Sequence, residues 1–163
     1  MKAPLPSDWL DALSAEFEAL ATGMLGLASV EPVAKGATPP AGMEGAYLGL
    51  ISSHGSYQIG LASTRDGCQA LARSLLAMEE EAEVAASDVA DAACEIVNIL
   101  AGGVKRRLME QGAQQVVLGL PTFFHGAVQP TERLGVAVAE VRVGALPAAL
   151  LVVHPRASQV EAS

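Results

Sequence analysis

The chain is expected to fold as an α+β domain: an antiparallel-rich sheet of about six strands packed against two long helices plus an N-terminal helix. Three observations carry that expectation. Ser87–Leu108 has its apolar residues at helical spacing on one side only. Residues 46–52 and 57–63 read as two strands joined by the turn Ser53-His54-Gly55-Ser56. The segment from 115 to 153 carries apolar runs and alternating valines, the pattern of further strands.

The length of 163 residues leaves room for one domain with a real core, 1–163, including an irregular loop at 31–45 and a flexible tail at 155–163. With 51% apolar and 17% charged residues the chain is globular rather than disordered. A net charge of −8 makes nucleic acid and anionic membrane poor partners. The first nine residues lack an apolar stretch of the secretory kind, and the longest apolar run, Ala148–Val153, is too short to span a bilayer. Cys68 and Cys94 fall in apolar helical patterns without zinc spacing, as expected of buried, reduced thiols in a cytoplasmic protein.

Taken in order, Ser7 caps a first helix running to about Ala21, with Trp9, Leu10, Leu13, Phe17 and Leu20 on its inner side. Gly23–Gly45 is rich in Gly and Pro and reads as irregular, with a short strand at 28–33. The 46–63 hairpin follows; His54 in its turn reads as solvated rather than as a catalytic base. Thr64 caps a second helix to Met78. The acidic run Glu79–Glu83 leads to the long helix, capped by Ser87 and stopped near Gly112. Gln115–Pro121 reads as a strand buried on both faces, Phe123 and Phe124 as core residues in preference to an exposed patch, and Leu134–Val143 and Leu150–Val153 as strands.

The outer side of the long helix needs a separate reason. At about 100° per residue, Asp88, Asp91, Glu95, Asn98, Gly102 and Lys105 share one side. Asn98 is the only asparagine in the chain and sits mid-helix, where it is worse than alanine by up to about 0.7 kcal/mol. Glu95 lies three residues earlier, so carboxylate and carboxamide are surface neighbours. Asp88 and Asp91 have an ordinary reason, the helix dipole; contact with a partner and metal binding stand beside it. Gly102 lets something approach closely, either a partner or another helix.

Glu95-Ile96-Val97-Asn98-Ile99-Leu100-Ala101-Gly102, followed at a distance by Leu120-Pro121-Thr122-Phe123-Phe124-His125-Gly126, resembles the CheC/CheX-type chemotaxis phosphatases. Those proteins carry E-x-x-N on a long helix, an Ala/Gly-rich turn, and a strand ending in a P-T-x-x-x-G-like segment. The resemblance covers residues 43–153 in element order. Where the family often has Gly-Asn, this chain has Gly102-Gly103. Some members repeat the motif on the first helix; here Asp11 is followed three residues on by Ser14, so the chain is nearer the single-site CheX branch.

The resemblance implies a phosphatase acting on the aspartyl phosphate of a CheY-like response regulator receiver domain. It implies no cofactor of the chain's own: the regulator supplies the Mg ion, a lysine and the acyl phosphate. Glu95 and Asn98 would be the catalytic pair, Asp88, Asp91 and Gly102 would contact the partner, and a homodimer joined through sheet edges is expected. The residue types suit the work, because a carboxamide both donates and accepts and so can hold one water in line with the departing P–O bond. Glu95 would pair with the regulator's lysine. The competing class is a non-catalytic interaction module, as in the flagellar switch middle domain of the same fold. No P-loop, G-x-S-x-G, dinucleotide fingerprint or H-E-x-x-H occurs to support a self-sufficient enzyme.

Overall fold

Period-two and period-3.6 burial patterns alternate along the chain and set its layers. The computed structural model describes residues 3–113 and 115–157. These form α1 (Pro6–Thr22), β1 (Val30–Gly36), β2 (Glu44–Ser52), β3 (Gly55–Ser63), α2 (Arg65–Leu75), α3 (Ala86–Glu110), β4 (Val117–Leu118), β5 (Thr122–His125), β6 (Leu134–Val143) and β7 (Leu146–Pro155). The sheet has seven strands in the order β1-β6-β7-β3-β2-β4, with β5 also pairing β2, and the pairings are antiparallel. This is the expected α+β architecture.

One face of the sheet carries the main core. Leu48 and Leu50 of β2, Ile59 of β3 and Leu150 and Val152 of β7 point there, and they meet Trp9, Leu13 and Phe17 of α1 and Ile96, Val97, Leu100, Val104 and Leu108 of α3. Trp9 stacks on Tyr57, with ring centroids 4.3 Å apart. The alternate residues Ala62, Val138, Ala149 and Leu151 form a second cluster on the other face, packed over by Met43, Phe124 and Val128. Among the described residues no helix is long and apolar enough to cross a membrane.

Several expectations are corrected. The strand expected at 28–33 is present but runs from Val30 to Gly36, so residues 31–36 leave the expected loop and pair with β6 as an edge strand, with a register shift between Pro32 and Ala34. Their side chains are almost all exposed, so no burial alternation marks them, and an edge position with a shifted register tolerates Pro32. The second helix is short rather than long. It ends at Leu75, and the chain turns away through Ala77 at a positive φ of 52°. Thr64 does cap it, accepting from the Gly67 N–H at 3.0 Å.

The expected caps Ser7 and Ser87 lie inside their helices. α1 starts at Pro6, whose fixed φ suits a first helical position, and the Asp8 carboxylate accepts from the Leu5 N–H at 2.7 Å. α3 starts at Ala86 because Gln69 of α2 grips Val84 from both sides, donating to its carbonyl at 2.9 Å and accepting from its N–H at 3.2 Å. Gln115–Pro121 is not a doubly buried strand. Only Val117 and Leu118 pair with β2, and Leu120 is 88% exposed, since the segment runs along an open edge. Phe123 and Phe124 are half-buried, on opposite faces of a four-residue strand. Of the two cysteines Cys68 is buried and Cys94 is only half-buried, on the flank of α3. β7 reaches Pro155, so residue 155 belongs to the sheet; 158–163 of the expected tail lie outside the described residues.

The neighbouring glycines of α3 have opposite roles. A side-chain carbon at Gly103 would collide with Glu16 of α1, which is bound by Arg107 Nε at 2.5 Å and Arg106 Nη2 at 3.2 Å with only 12% of its side chain exposed. At Gly102 the same carbon would meet nothing within 4 Å. Gly103→Ala is therefore expected to destabilise the fold by about 1 kcal/mol, by pushing Glu16 off its arginines. Gly102→Ala is expected to stabilise it by about 0.5–1 kcal/mol through helix propensity. Urea unfolding of the two variants checks the opposite signs.

Candidate functional site on the outer face of α3

The inner side of α3 is committed to the core through Val89, Ala92, Ile96, Val97, Leu100, Ala101, Gly103, Val104 and Leu108. A helix held along that whole side cannot roll, so its outer side is fixed in direction. There Asp88, Asp91, Glu95, Asn98 and Gly102 are all exposed. The structure thus places the five site residues expected from the sequence on one face, with Glu95 and Asn98 one turn apart at its middle. Among the described residues neither side chain is engaged in a hydrogen bond or ion pair, so a carboxylate and a carboxamide stand side by side with their polar atoms free for an external group.

Both ends of α3 are anchored. Gln69 holds the approach at Val84, and Glu16 ties Arg106 and Arg107 at the far end to α1. The face also has polarity: acids occupy its first half, and Lys105 and Arg106 its second, with Glu110 at the very end. That order follows the helix dipole. Gly102 has no packing reason to be glycine, so the helix-clearance reading passes to Gly103, and Gly102 leaves the outer surface low beside Asn98.

The segment 120–126, distant in sequence, comes to the start of this helix. Phe123 and His125 of β5 line a cleft of about 720 Å³ with Glu44, Arg65, Gln69, Glu83 and Ala86, Val89 and Ala90 of α3. In it His125 Nδ1 lies 2.7 Å from Glu44 Oε2, and the Phe123 and His125 rings meet edge-on at 4.9 Å. Sequence reasoning missed the Glu44–His125 pair. Its members meet only because β5 returns alongside β2, and no local spacing signals that. The cleft is walled on one side by the start of α3 itself.

Asp88 and Asp91 have no third ligand: among the described residues no three His, Cys, Asp or Glu side chains come together as a metal site. Asp91 instead bears on Cys94. Burial first, and then the Asp91 charge, push the Cys94 thiol above its ordinary range. Cys68 is pushed up to about 12 by burial and by Glu44.

The sequence profile of the family described as Chemotaxis phosphatase CheX matches residues 47–138, more than half of the chain. The chain belongs to the CheX family. The match takes in α3 and the 120–126 segment together. No curated protein matches the sequence. Among solved structures, the chain is similar to a CheC-like superfamily protein from Shewanella sp. PV-4, with a TM-score of 0.75 at 12% identity over 90% of this chain and 96% of that one. It is similar to the CheX–CheY–BeF3–Mg2+ complex from Borrelia burgdorferi, with a TM-score of 0.71 at 19% identity over 96% of this chain and 100% of that one. It also shares its fold with the middle domain of FliM from H. pylori, at a TM-score of 0.56 and 9% identity over 91% and 92% of the two chains. At these identities what is shared is the fold.

The thiols test the local description of α2, which carries Cys68, and of α3, which carries Cys94. With a value near 12, roughly one part in ten thousand of Cys68 is thiolate at pH 8, and it has no route to solvent. A disulfide-exchange reagent at pH 8 is expected to modify Cys94 slowly and Cys68 only after denaturant is added. The Cys94 rate should rise with pH, since a raised value keeps the thiol protonated. Equal rates in the native protein would contradict this placement.

Proposed function

We propose that this chain hydrolyses the aspartyl phosphate of a CheY-type receiver domain, by laying the outer face of α3 over the receiver's phosphorylation site. The observation that carries the proposal is the pairing of Glu95 and Asn98 on the exposed side of an otherwise buried helix, in a chain of the CheX family. The solved CheX–CheY–BeF3–Mg2+ complex of the same fold makes a CheY-like domain the natural candidate partner.

In this mechanism Asn98 accepts a hydrogen bond from one water and donates another, holding it in line with the phosphorus. No general base is required, because an acyl phosphate carries a good leaving group and phosphoryl transfer rewards positioning above all. Glu95 pairs with a lysine of the receiver and sets where the helix lies along it. Asp88 and Asp91 meet the partner along the same stripe. In this reading the divalent ion comes with the receiver, beside its acyl phosphate. The short reach of Asn98 matters here, since an exposed, rigidly based carboxamide loses little freedom on binding.

A scaffold reading has one observation in its favour, the shared fold with the FliM middle domain. It leaves the exposed Glu95–Asn98 pair without a purpose. The deciding measurement is the loss of label from receiver domains phosphorylated on aspartate, with and without this protein. Asn98→Ala is expected to abolish the acceleration while leaving the fold intact or more stable by up to about 0.7 kcal/mol. Glu95→Ala is expected to raise the half-saturating concentration of phosphorylated receiver. Parental activity in Asn98→Ala would overturn the water-positioning role, and no acceleration by the parent protein across a panel of receivers would leave the scaffold reading standing.

A further inference from the structure

We propose that the docking face of α3 has a second anchor beyond Asn98: a shallow groove beside Gly102 that takes an apolar side chain of the receiver, flanked there by a carboxylate. This rests on the receiver-phosphatase reading above. The groove, about 470 Å³, is lined by Gly102, Lys105, Arg106, Met109 and Glu110. Its floor is the bare backbone at Gly102, where a side-chain carbon would meet nothing within 4 Å. Around it stand Lys105, Arg106, Glu110 and Met109, the last 46% exposed.

Three features select the occupant. The first is continuity: Gly102, Lys105 and Met109 follow Glu95 and Asn98 at helical spacing on the same stripe. Lys105 lies about 10 Å along the axis from Asn98, within the footprint of a single receiver domain. The second is charge. Arg106 is tied to Glu16 at 3.2 Å, while Lys105, half-buried, has no ion-pair partner among the described residues, the groove's own Glu110 included. A carboxylate beside the incoming apolar group supplies that partner, as a lysine does for Glu95 at the acidic half of the face. Lys105 at one end and the acids at the other then favour one direction of the receiver along the helix. The third is Gly102 itself, a helix-weakening residue that the fold does not use.

The test measures label loss from phosphorylated CheY-type receivers at varied receiver concentration. It compares the parent, Gly102→Leu, which fills the groove, Lys105→Glu, which reverses its charge, and Asn98→Ala. Met24→Ala, an exposed methionine outside α3, is the control. Gly102→Leu strengthens the helix, so its thermal midpoint is expected to rise by about 2–4 °C, which separates lost docking from lost folding. Both groove variants are expected to raise the half-saturating concentration at least about tenfold, with the loss falling there rather than on the maximal rate. Half-saturation at the parental value in both, with Asn98→Ala inactive, overturns the groove and leaves the catalytic reading intact. A fully active Asn98→Ala overturns that reading and the groove with it.

Discussion

Everything at the candidate site depends on the burial of one side of α3. Ile96, Val97, Leu100, Val104 and Leu108 are sealed between the sheet and α1, at 1% exposure or less. Rotating the helix by even one residue would carry part of that set into water, at about 1.5–3 kcal/mol for each large side chain exposed. The core thereby fixes the azimuth of Glu95 and Asn98 without touching either. Catalysis by positioning requires a support of this kind, because the side chain itself contributes little beyond its location.

The ends of the helix are secured by polar contacts rather than by caps. Gln69 closes both hydrogen bonds on Val84, and Glu16 gathers two arginines in the space that Gly103 leaves open. Adjacent glycines thus divide the labour: one faces inward and admits a carboxylate from α1, the other faces outward and keeps the surface low. The departure from Gly-Asn beside the motif has a physical account in Gly103, since a larger residue there would displace Glu16.

The parts legible in the sequence were those written in local periodicity. α3 shows one buried side at helical spacing with an exposed stripe from Asp88 to Gly102 opposite it, and the β2–β3 hairpin and β6 show strand-forming apolar runs between turn residues. β1 was legible only as a short strand at 28–33, and its reach to Gly36 was missed because an edge strand with exposed side chains carries no alternation. β4 misled for the opposite reason: Val116–Leu120 is apolar throughout, yet it lies along a sheet edge with Val117 and Leu120 outward. The start of α3 was displaced beside a distant group, Gln69, which bonds Val84 just before it. The Glu44–His125 pair was invisible for the same reason, since its members meet only through the pairing of β2 with β5.

The central claim is that Asn98, carried on this immobile helix, holds the attacking water. The most direct measurement is a crystal structure of this chain with a CheY-type receiver trapped by beryllofluoride and Mg2+. The account predicts that α3 lies across the phosphorylation site, with the Asn98 carboxamide hydrogen-bonded to a water in line with the beryllium and Glu95 against a receiver lysine. A complex in which the receiver docks elsewhere, or in which Asn98 faces away from the beryllofluoride, would contradict it.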